Sequence, residues 1–581
     1  MAFSHNWASV MQRAQPLIQE ILEQVRSQEA FHDKSFDPLN IKPAYMSLWK
    51  TWADNPLQLV DWGVEYWQQF MTLCHNSALK FMGKDAADII EPEKGDKRFK
   101  DPAWQQSAVF DFLKQSYLLT ASAVQRAVHE TSFTDPHEKA KVEFYTKQFV
   151  DAFSPSNFFM TNPEVLRTTL ETGGENIING LKNLLEDLQR GKGKLKISKT
   201  DYAAFKIGEN LALTKGNVIY RNDMMELIEY APQTESVYSV PLLICPPWIN
   251  KYYILDLRPQ NSFINWAVQQ GYRVFVISWV NPGPKHANKN FSDYMDDGLL
   301  KAAETITKHT GTEKMNVVGY CIGGTLLTLT LAYLAAAKKE SPFISATFLT
   351  TLIDFKNAGD LALFTDEAQI QWLEQQMQET GILDSNVLQT TFSMLRANDL
   401  VWSYIVNNYM LGREPFPFDI LYWNDDSTNM PAAMHSYYLR NMYLRNFLAQ
   451  HKKLCVKGEL LDVTDINIPA YFLSTKEDHI APWRATFNGA HLLGGDDVQF
   501  TLAASGHVAG VVNPPTSGKY GYWKNPAKEQ KPDKWLEEAK YHEGSWWTDW
   551  TDWLKGFSGK KETPQEGSLK PLCKAPGTYV R

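Results

Sequence analysis

Residues 315–339 read MNVVGYCIGGTLLTLTLAYLAAAKK, and this stretch decides the fold. An apolar strand leads into the turn GYCIGG, residues 319–324, and the apolar helix that follows ends at two lysines, near its negative end. Glycines suit a turn whose backbone is strained and whose neighbours approach too closely for a Cβ. Because Cys321 precedes the helix, the positive end of the helix dipole favours its thiolate. The sequence therefore predicts a strand, a sharp turn and a helix that present Cys321 as a nucleophile.

The same order of strand, turn and helix is typical of the α/β-hydrolases, whose G-x-S-x-G motif places a serine at this turn. A cysteine stands at that position here. The alternative interpretation of Cys321 is a small buried residue between glycine turns. The remaining four cysteines lack such a context and are interpreted as structural: Cys74, Cys245, Cys455 and Cys573.

Short apolar runs alternate with helical stretches on both sides of this turn. The runs are NVIYR (217–221), SVPLLIC (239–245), YRVFVISWV (272–280), KMNVVGY (314–320), FISATFLTTLI (343–353), NIPAYFLS (467–474) and VQFTLAA (498–504). Parallel strands that are covered by helices on both faces have this continuously apolar composition. The sequence thus predicts an α/β class and an α/β-hydrolase catalytic domain over 205–581. The long gap between the fifth and sixth runs exceeds any crossover helix and predicts a cap insertion at about 355–467.

The region before about residue 204 has a different pattern. Its apolar residues recur at helical spacing, at 10–25 and again at 57–81, and prolines divide it into short helices. The sequence therefore predicts a mainly helical N-terminal domain over 1–204. The helix at 10–25 is interpreted as packed within its own domain, and a self-association or partner helix is the alternative.

A thiol nucleophile needs a base, and in α/β-hydrolases the acid and the histidine follow the nucleophile along the chain. His507 follows the run VQFTLAA, where the last strands deliver a catalytic imidazole, so we predict it as the base. Asp478 follows NIPAYFLS and is the predicted acid, with Asp354 as a competitor. His479 is either a neighbour that supports the acid or a structural residue. The histidines that follow the nucleophile are His435, His451, His479, His491, His507 and His542.

The oxyanion hole of this fold consists of two backbone N–H groups, one after the nucleophile and one from an early strand-to-helix loop. The first is that of Ile322. The second belongs to ICPPWINKYYILDL, residues 244–257, where we expect the N–H of Trp248 or Ile249. Asp256 in the same stretch is either a solvated or capping carboxylate, or a residue that supports the site.

The composition excludes several functional classes. With 58 basic and 66 acidic residues the net charge is −8, which argues against a nucleic acid partner. The odd number of cysteines, without a CxxC pair, argues against a disulfide framework, and no histidine and carboxylate cluster has the spacing of metal ligands. The sequence contains neither a secretory signal nor an apolar run long enough for a transmembrane segment. We expect a soluble protein of a reducing compartment.

Three motifs at the predicted catalytic residues resemble those of the polyhydroxyalkanoate synthases, the bacterial enzymes that make storage polyesters: GYCIGG (319–324), EDHIAPW (477–483) and SGHVAGVVNPP (505–515). The similarity extends over most of the chain, from FSPSNFFMTNPE (153–164) to APGTYV (575–580). The resemblance implies that Cys321, Asp478 and His507 act as nucleophile, acid and base.

The resemblance further implies a class I enzyme. Such an enzyme would polymerise short-chain (R)-3-hydroxyacyl-CoA, such as 3-hydroxybutyryl-CoA, onto a growing polyester chain. The resemblance leaves open whether the enzyme also accepts some medium-chain units. It would need no cofactor, since CoA is part of the substrate and a product. We expect a homodimer on the surface of cytoplasmic polyester granules, where granule-associated proteins are further partners and the N-terminal domain serves dimerisation or attachment. The alternatives are a thioesterase or polyester depolymerase of the same fold, and a granule-coat protein with an inactive hydrolase domain.

Overall fold

A computed structural model describes residues 40–526 and 531–581 of the 581-residue chain. The chain forms two compact units. The described part of one unit comprises residues 40–201 and Thr391–Pro417, and the other consists of Tyr202–Thr390 and Phe418–Arg581. The stretch at about 355–467 thus contributes to both units.

The described part of the first unit is built from helices. They are α1 (Lys42–Asp54), α2 (Pro56–Phe81), α3 (Ala103–Gln106), α4 (Ala108–Glu130), α5 (Pro136–Ala152), α6 (Pro163–Glu171) and α7 (Glu175–Arg190). A proline begins α2, α5 and α6, because its missing N–H is not needed in the first turn of a helix. Residues 40–204 contain no strand, as the sequence predicts. The helix predicted at 10–25 lies outside the described residues.

An eleven-stranded sheet forms the centre of the second unit. Its strands are β1 (Gly216–Arg221), β2 (Met225–Tyr230), β3 (Leu242–Cys245), β4 (Val274–Trp279), β5 (Met315–Tyr320), β6 (Phe343–Leu349), β7 (Ala470–Thr475), β8 (Val498–Ala503), β9 (Tyr522–Lys524), β10 (Lys540–His542) and β11 (Cys573–Lys574). Their order across the sheet is β10-β9-β8-β7-β6-β5-β3-β4-β2-β1-β11. All seven apolar runs form strands of this sheet, whereas the sequence pattern does not predict β2, β9, β10 and β11.

The middle of the sheet is parallel, from β4 through β3, β5, β6 and β7 to β8. Both ends are antiparallel: β1 pairs in this way with β2 and β11, and β9 with β8 and β10. The prediction that NVIYR forms a parallel strand is therefore wrong. A short turn joins β1 to β2, and so short a connection is compatible only with antiparallel neighbours.

Helices cover both faces of the sheet. The α-helices of seven or more residues from residue 263 onward are α8 (Phe263–Gln269), α9 (Lys301–Thr310), α10 (Ile322–Ala336), α11 (Glu367–Thr380), α12 (Ser385–Leu395), α13 (Asp419–Asp425), α14 (Ala432–Tyr438), α15 (Trp483–Ala490), α16 (Pro532–Glu538) and α17 (Trp546–Lys555). Successive strand residues point to opposite faces. Leu243 and Val317 therefore join the apolar cluster that contains α10, while Leu242 and Val318 join a second cluster on the other face.

Helix α17 supplies much of the second apolar cluster. Trp546, Trp547 and Trp550 are fully buried, and each indole N–H donates a hydrogen bond. That of Trp550 donates to Thr347 Oγ1 of β6 at 2.9 Å, and that of Trp546 donates to the carbonyl of Gly510 at 3.0 Å. The tryptophan-rich stretch thus packs on the sheet and holds the loop that follows β8.

Candidate active site

Cys321 lies at the turn between β5 and α10. Its φ of 53° is positive, which is rare and strained for a residue other than glycine, and its N–H donates to Leu349 O at 2.9 Å. A Cβ on Gly319 would lie 2.5 Å from the Cα of Gly324, and one on Gly324 would lie 2.0 Å from Thr351 Oγ1. Close packing therefore requires both glycines, and the turn has the sharp geometry that the sequence predicts.

His507 and Asp478 lie in the loops that follow the neighbouring parallel strands β8 and β7. Nδ1 of His507 donates to Oδ2 of Asp478 at 2.7 Å, and both residues are more than nine-tenths buried. The other carboxylate oxygen of Asp478 accepts from the N–H groups of Ile480 and Ala481, each at 2.8 Å. These bonds fix the carboxylate and, through it, the orientation of the imidazole.

The charge on His507 depends on its two neighbours. Burial lowers the pKa of the imidazole, but the charge of Asp478 and then that of Cys321 outweigh burial and raise the pKa to about 10. Both neighbours also hydrogen-bond to the imidazole. The structure thus brings together the three side chains that the sequence predicts for the catalytic site.

The N–H groups predicted for the oxyanion hole lie on two elements that touch each other. Ile322 begins α10, so its N–H has no acceptor within the helix. The loop after β3 packs so closely on α10 that a Cβ on Gly323 would lie 2.3 Å from Cys245 O. Within the described residues, the N–H groups of Trp248 and Ile249 donate no hydrogen bond. An oxyanion hole requires donors that are free to bind the substrate oxygen, and the assignment to these residues stays a prediction.

Three tyrosines that the sequence pattern does not single out adjoin the catalytic cluster. Tyr320 stacks on His507, with ring centroids 5.8 Å apart, and its hydroxyl donates to His507 O at 3.3 Å. Burial raises the pKa of Tyr443, and the charge of Cys321 raises it further. Burial, Tyr443 and Cys321 likewise raise the pKa of Tyr438. Both tyrosines come from SYYLRNMYL, residues 436–444, whose aromatic density was the available signal.

The predicted cap insertion is rich in aromatic residues, and these are divided between the two units. Trp402, Tyr404, Tyr409 and Phe416 fall in the first unit, whereas Phe418, Tyr422 and Trp423 fall in the second. Tyr409 donates to Asp187 Oδ2 at 2.6 Å within the first unit. Trp423 donates through Nε1 to Lys251 O at 2.6 Å within the second unit. Each of these two side chains therefore has a hydrogen-bond partner within its own unit.

Asp256 is almost fully buried, so the expectation of a solvated carboxylate is wrong. Its carboxylate accepts from Thr214 Oγ1 at 2.5 Å and from Ser262 Oγ at 2.7 Å. Burial raises its pKa, and these hydrogen bonds oppose the rise. Because Ser262 caps α8, Asp256 ties the start of this helix to the segment before β1.

The other acid and histidine candidates have different surroundings. The carboxylate of Asp354 accepts from Asn446 Nδ2 at 2.7 Å, whereas His507 pairs with Asp478. His479 is partly exposed directly after Asp478. The remaining candidates are not part of this cluster: His435 is buried in α14, His451 pairs with Asp462, His491 bonds to Phe487 O, and His542 stacks on Tyr522.

The five cysteines are free thiols. Cys245 at the end of β3 is fully buried, and burial raises its pKa strongly. Among residues 40–526 and 531–581, no group of three or more His, Cys, Asp or Glu side chains could hold a metal ion. Within the same residues, no helix combines the length and the apolarity needed to cross a membrane.

The fold and the site define the class of the second unit. A parallel sheet with a cysteine at the strand-to-helix turn, followed by an aspartate and a histidine after later strands, is the arrangement of an α/β-hydrolase domain. The family model for the alpha/beta hydrolase fold matches residues 241–514. A second model, "Poly-beta-hydroxybutyrate polymerase (PhaC) N-terminus", matches residues 95–267.

Curated relatives identify the family. The chain is 47% identical over 537 residues to poly(3-hydroxyalkanoate) polymerase of Methylorubrum extorquens, covering 92% of this chain and 88% of the relative. It is 41% identical over 535 residues to poly(3-hydroxyalkanoate) polymerase subunit PhaC of Cupriavidus necator, covering 90% and 89%. The chain therefore belongs to the poly(3-hydroxyalkanoate) polymerases, which are acyltransferases.

Proposed function

We propose that this enzyme polymerises short-chain (R)-3-hydroxyacyl-CoA into polyester and releases CoA, with Cys321 as the covalent carrier of the acyl group. Family membership supports the polymerase reaction. The observation that carries the mechanism is the cluster of Cys321, His507 and Asp478 at the carboxyl ends of three parallel strands. A nucleophile, a base and an orienting carboxylate in this order are what acyl transfer requires.

In the loading step, the sulfur of Cys321 attacks the carbonyl carbon of the CoA thioester. The carbonyl electron pair moves to oxygen, which the N–H of Ile322 and one from the loop after β3 stabilise. The bond to the CoA sulfur then breaks, and His507 gives its proton to the departing thiolate. One thioester replaces another, so the activation of the acyl group is retained for ester formation.

Acylation changes the charge around His507. The charge of Cys321 is one of the two that raise the pKa of the imidazole, and a thioester carries no charge. The imidazole of the acyl-enzyme is therefore more easily deprotonated than that of the free enzyme. We infer that His507 is an acid while it loads the enzyme and becomes a base only once Cys321 is acylated.

In the elongation step, His507 takes the proton of a 3-hydroxyl group as its oxygen attacks the thioester on Cys321. The new ester bond forms, the bond to the sulfur of Cys321 breaks, and the thiolate is restored beside the protonated imidazole. Asp478 keeps Nδ1 of His507 protonated and leaves Nε2 as the site of proton transfer.

We further propose that the enzyme works as a homodimer at the surface of the polyester granule, and that the first unit makes the attachment. Helix α2 supports the attachment: five apolar residues at the spacing of one helix face are each at least half exposed, namely Leu57, Val60, Val64, Trp67 and Met71. Charged residues of α2 are few, namely Asp61, Glu65 and Lys80. A broad apolar face with so little charge suits a neutral aliphatic polyester better than an anionic lipid surface.

The test uses purified protein and (R)-3-hydroxybutyryl-CoA, with free thiol and turbidity followed together. The proposed function predicts CoA release with an insoluble product, and no release by the Cys321→Ala variant. A thioesterase or depolymerase would release free 3-hydroxy acid and leave the solution clear. A granule-coat protein with an inactive hydrolase domain would release no CoA.

A further inference from the structure

The loop after β3 is held by a second segment of the same unit, residues 423–428. Thr428 makes two of the hydrogen bonds: its Oγ1 donates to the carbonyl of Trp248, and its N–H donates to the carbonyl of Ile249 at 3.1 Å. The hydroxyl of Thr428 is buried. Both bonds therefore end on the main chain of the two residues that are candidates for the second oxyanion donor.

Further bonds join the two segments. Nε1 of Trp423 donates to Lys251 O at 2.6 Å, and the side-chain amide of Asn250 donates to Trp423 O at 3.3 Å. The carboxylate of Asp426 pairs with Lys251 Nζ at 2.7 Å and accepts from the hydroxyl of Tyr253 at 2.9 Å. Because α10 presses on the start of the same loop, the loop is fixed from two sides.

The bond from the Thr428 hydroxyl also decides where an N–H group points. In a trans peptide the C=O and the N–H of one plane point in opposite directions. Trp248 O and Ile249 N belong to the same plane, so a carbonyl directed at Thr428 turns the N–H of Ile249 to the other side. Within the described residues, that N–H donates no hydrogen bond.

We propose that Thr428 is a positioning residue for acyl transfer: it holds the peptide between Trp248 and Ile249 so that the N–H of Ile249 is the second oxyanion donor. This inference rests on the proposed function, because it presupposes attack by Cys321 on a thioester. A donor held in place acts on the oxygen as charge develops there and adds little to binding of the ground state. Loss of the hydroxyl should therefore lower kcat and leave KM nearly unchanged.

The first test compares Thr428→Val with Thr428→Ser, using the full-length enzyme and (R)-3-hydroxybutyryl-CoA. Complete loss of one oxyanion donor costs about 10²- to 10³-fold in kcat, and we expect ~10- to 100-fold for Thr428→Val, where the donor remains but is no longer held. Thr428→Ser keeps the hydroxyl and should retain activity within about threefold. The matched control is Thr305→Val, which removes a buried hydroxyl that donates to Lys301 O within α9. An unchanged kcat in Thr428→Val would overturn the proposal.

The second measurement separates positioning from general damage to the site. Iodoacetamide alkylates the sulfur of Cys321 by displacing iodide, and no oxyanion forms in that reaction. Thr428→Val should therefore be alkylated at the rate of the unaltered enzyme, although its acyl transfer is slow. An equal fall in both rates would reject the positioning role. If valine prevents folding, Thr428→Ala removes the hydroxyl without an added methyl group and serves in both measurements. CoA release that survives Cys321→Ala would instead contradict the proposed function itself.

Discussion

The imidazole of His507 and the carboxylate of Asp478 form a buried pair, joined by a hydrogen bond of 2.7 Å from Nδ1 to Oδ2. The charge of Asp478 is the largest of the contributions that raise the pKa of His507. The carboxylate therefore has two separable roles. It orients the imidazole, and it decides whether the imidazole carries a proton.

Asp478→Asn should affect elongation more than loading. The change keeps the geometry of the side chain but disturbs the tautomer of His507, a change worth up to about 10⁴-fold in a serine protease. A thiol is partly ionised near neutral pH without help, whereas a secondary hydroxyl depends on a correctly oriented base. Single-turnover CoA release, compared with steady-state polymer formation, measures the two steps.

The control for this variant is Asp462→Asn, because Asp462 is a buried aspartate that pairs with His451 outside the site. It should leave both rates within about twofold of the unaltered enzyme. Equal losses in loading and elongation for Asp478→Asn would contradict this prediction.

Gly323→Ala tests the contact between α10 and the loop after β3. A Cβ at this position would lie 2.3 Å from Cys245 O and 2.8 Å from Pro246 O, both of which are main-chain atoms. We expect a loss of about 1–3 kcal/mol in the free energy of unfolding. We also expect kcat to fall by ~10-fold or more, because the loop must move away from the nucleophile. Urea unfolding and initial rates measure both effects.

Gly283→Ala is the matched control for that prediction. A Cβ at Gly283 meets no atom within 4 Å, and its φ of −114° is one that alanine adopts readily. The free energy of unfolding of this variant should lie within about 0.5 kcal/mol of that of the unaltered enzyme. A Gly323→Ala variant as stable and active as Gly283→Ala would show that the loop does not need to touch the helix.

Much of this site could be predicted from the sequence, because the turn chemistry is local and the strand ends are marked by apolar runs. The strand β2 could not be predicted, since Glu226 and Glu229 interrupt its pattern. Both are paired with residues far along the chain: Glu226 accepts from the N–H of Thr578 at 2.9 Å, and Glu229 pairs with His309 at 2.9 Å. The local sequence does not indicate pairing between residues so far apart along the chain.

The prediction that β1 is a parallel strand was wrong for a related reason. Apolar composition shows that a strand is buried, and burial alone does not give the direction of its neighbours. The hydrogen bond from Thr428 to Trp248 in the loop after β3 could not be predicted either, because 180 residues separate the two. A single sequence contains no signal for a hydrogen bond that joins a threonine to such a distant carbonyl.

His435 should make the enzyme sensitive to acid. Burial lowers the pKa of its imidazole to about 4, against an ordinary value of 6.5. A histidine whose folded pKa is depressed contributes stability above its unfolded pKa, and this is lost as pH falls through the window from 6.5 to 4. One pKa unit corresponds to about 1.4 kcal/mol. Through His435 alone, lowering the pH from 6.5 to 5 should therefore reduce the free energy of unfolding by about 2 kcal/mol.

The measurement compares urea unfolding at these two pH values for the unaltered enzyme and for His435→Gln. The variant should lose about 2 kcal/mol less on acidification, whatever its stability at neutral pH. His542→Gln, at a partly exposed histidine, should keep the slope of the unaltered enzyme. The same slope in all three proteins would show that His435 is not the acid-sensitive group.

The exposed face of α2 should govern attachment to polymer. A variant that replaces Val60, Val64 and Trp67 by glutamine removes apolar surface without adding charge. We expect its partition onto purified polyester particles to fall by ~10-fold, because apolar burial drives the association. Its initial rate on dissolved substrate should stay within about twofold, since α2 carries none of the proposed catalytic residues.

The control replaces Met160 and Leu170, which are exposed apolar residues of the same unit outside α2, by glutamine. Particle sedimentation measures the bound fraction of each variant. Equal loss of binding in the two variants would mean that general hydrophobicity, and not the face of α2, determines attachment.

Cys321→Ser separates acceptance of the acyl group from its onward transfer. The serine hydroxyl can take an acyl group from CoA, because conversion of a thioester to an ester is downhill. The resulting ester has lost the activation that drives the next transfer, and a serine hydroxyl does not supply the charge that Cys321 contributes to the pKa of His507. We therefore expect at most one CoA released per enzyme, one acyl group found on the protein by mass spectrometry, and no polymer.

Cys321→Ala should show neither release nor acylation. Continuous polymer formation by Cys321→Ser would contradict the requirement for a thioester on the enzyme.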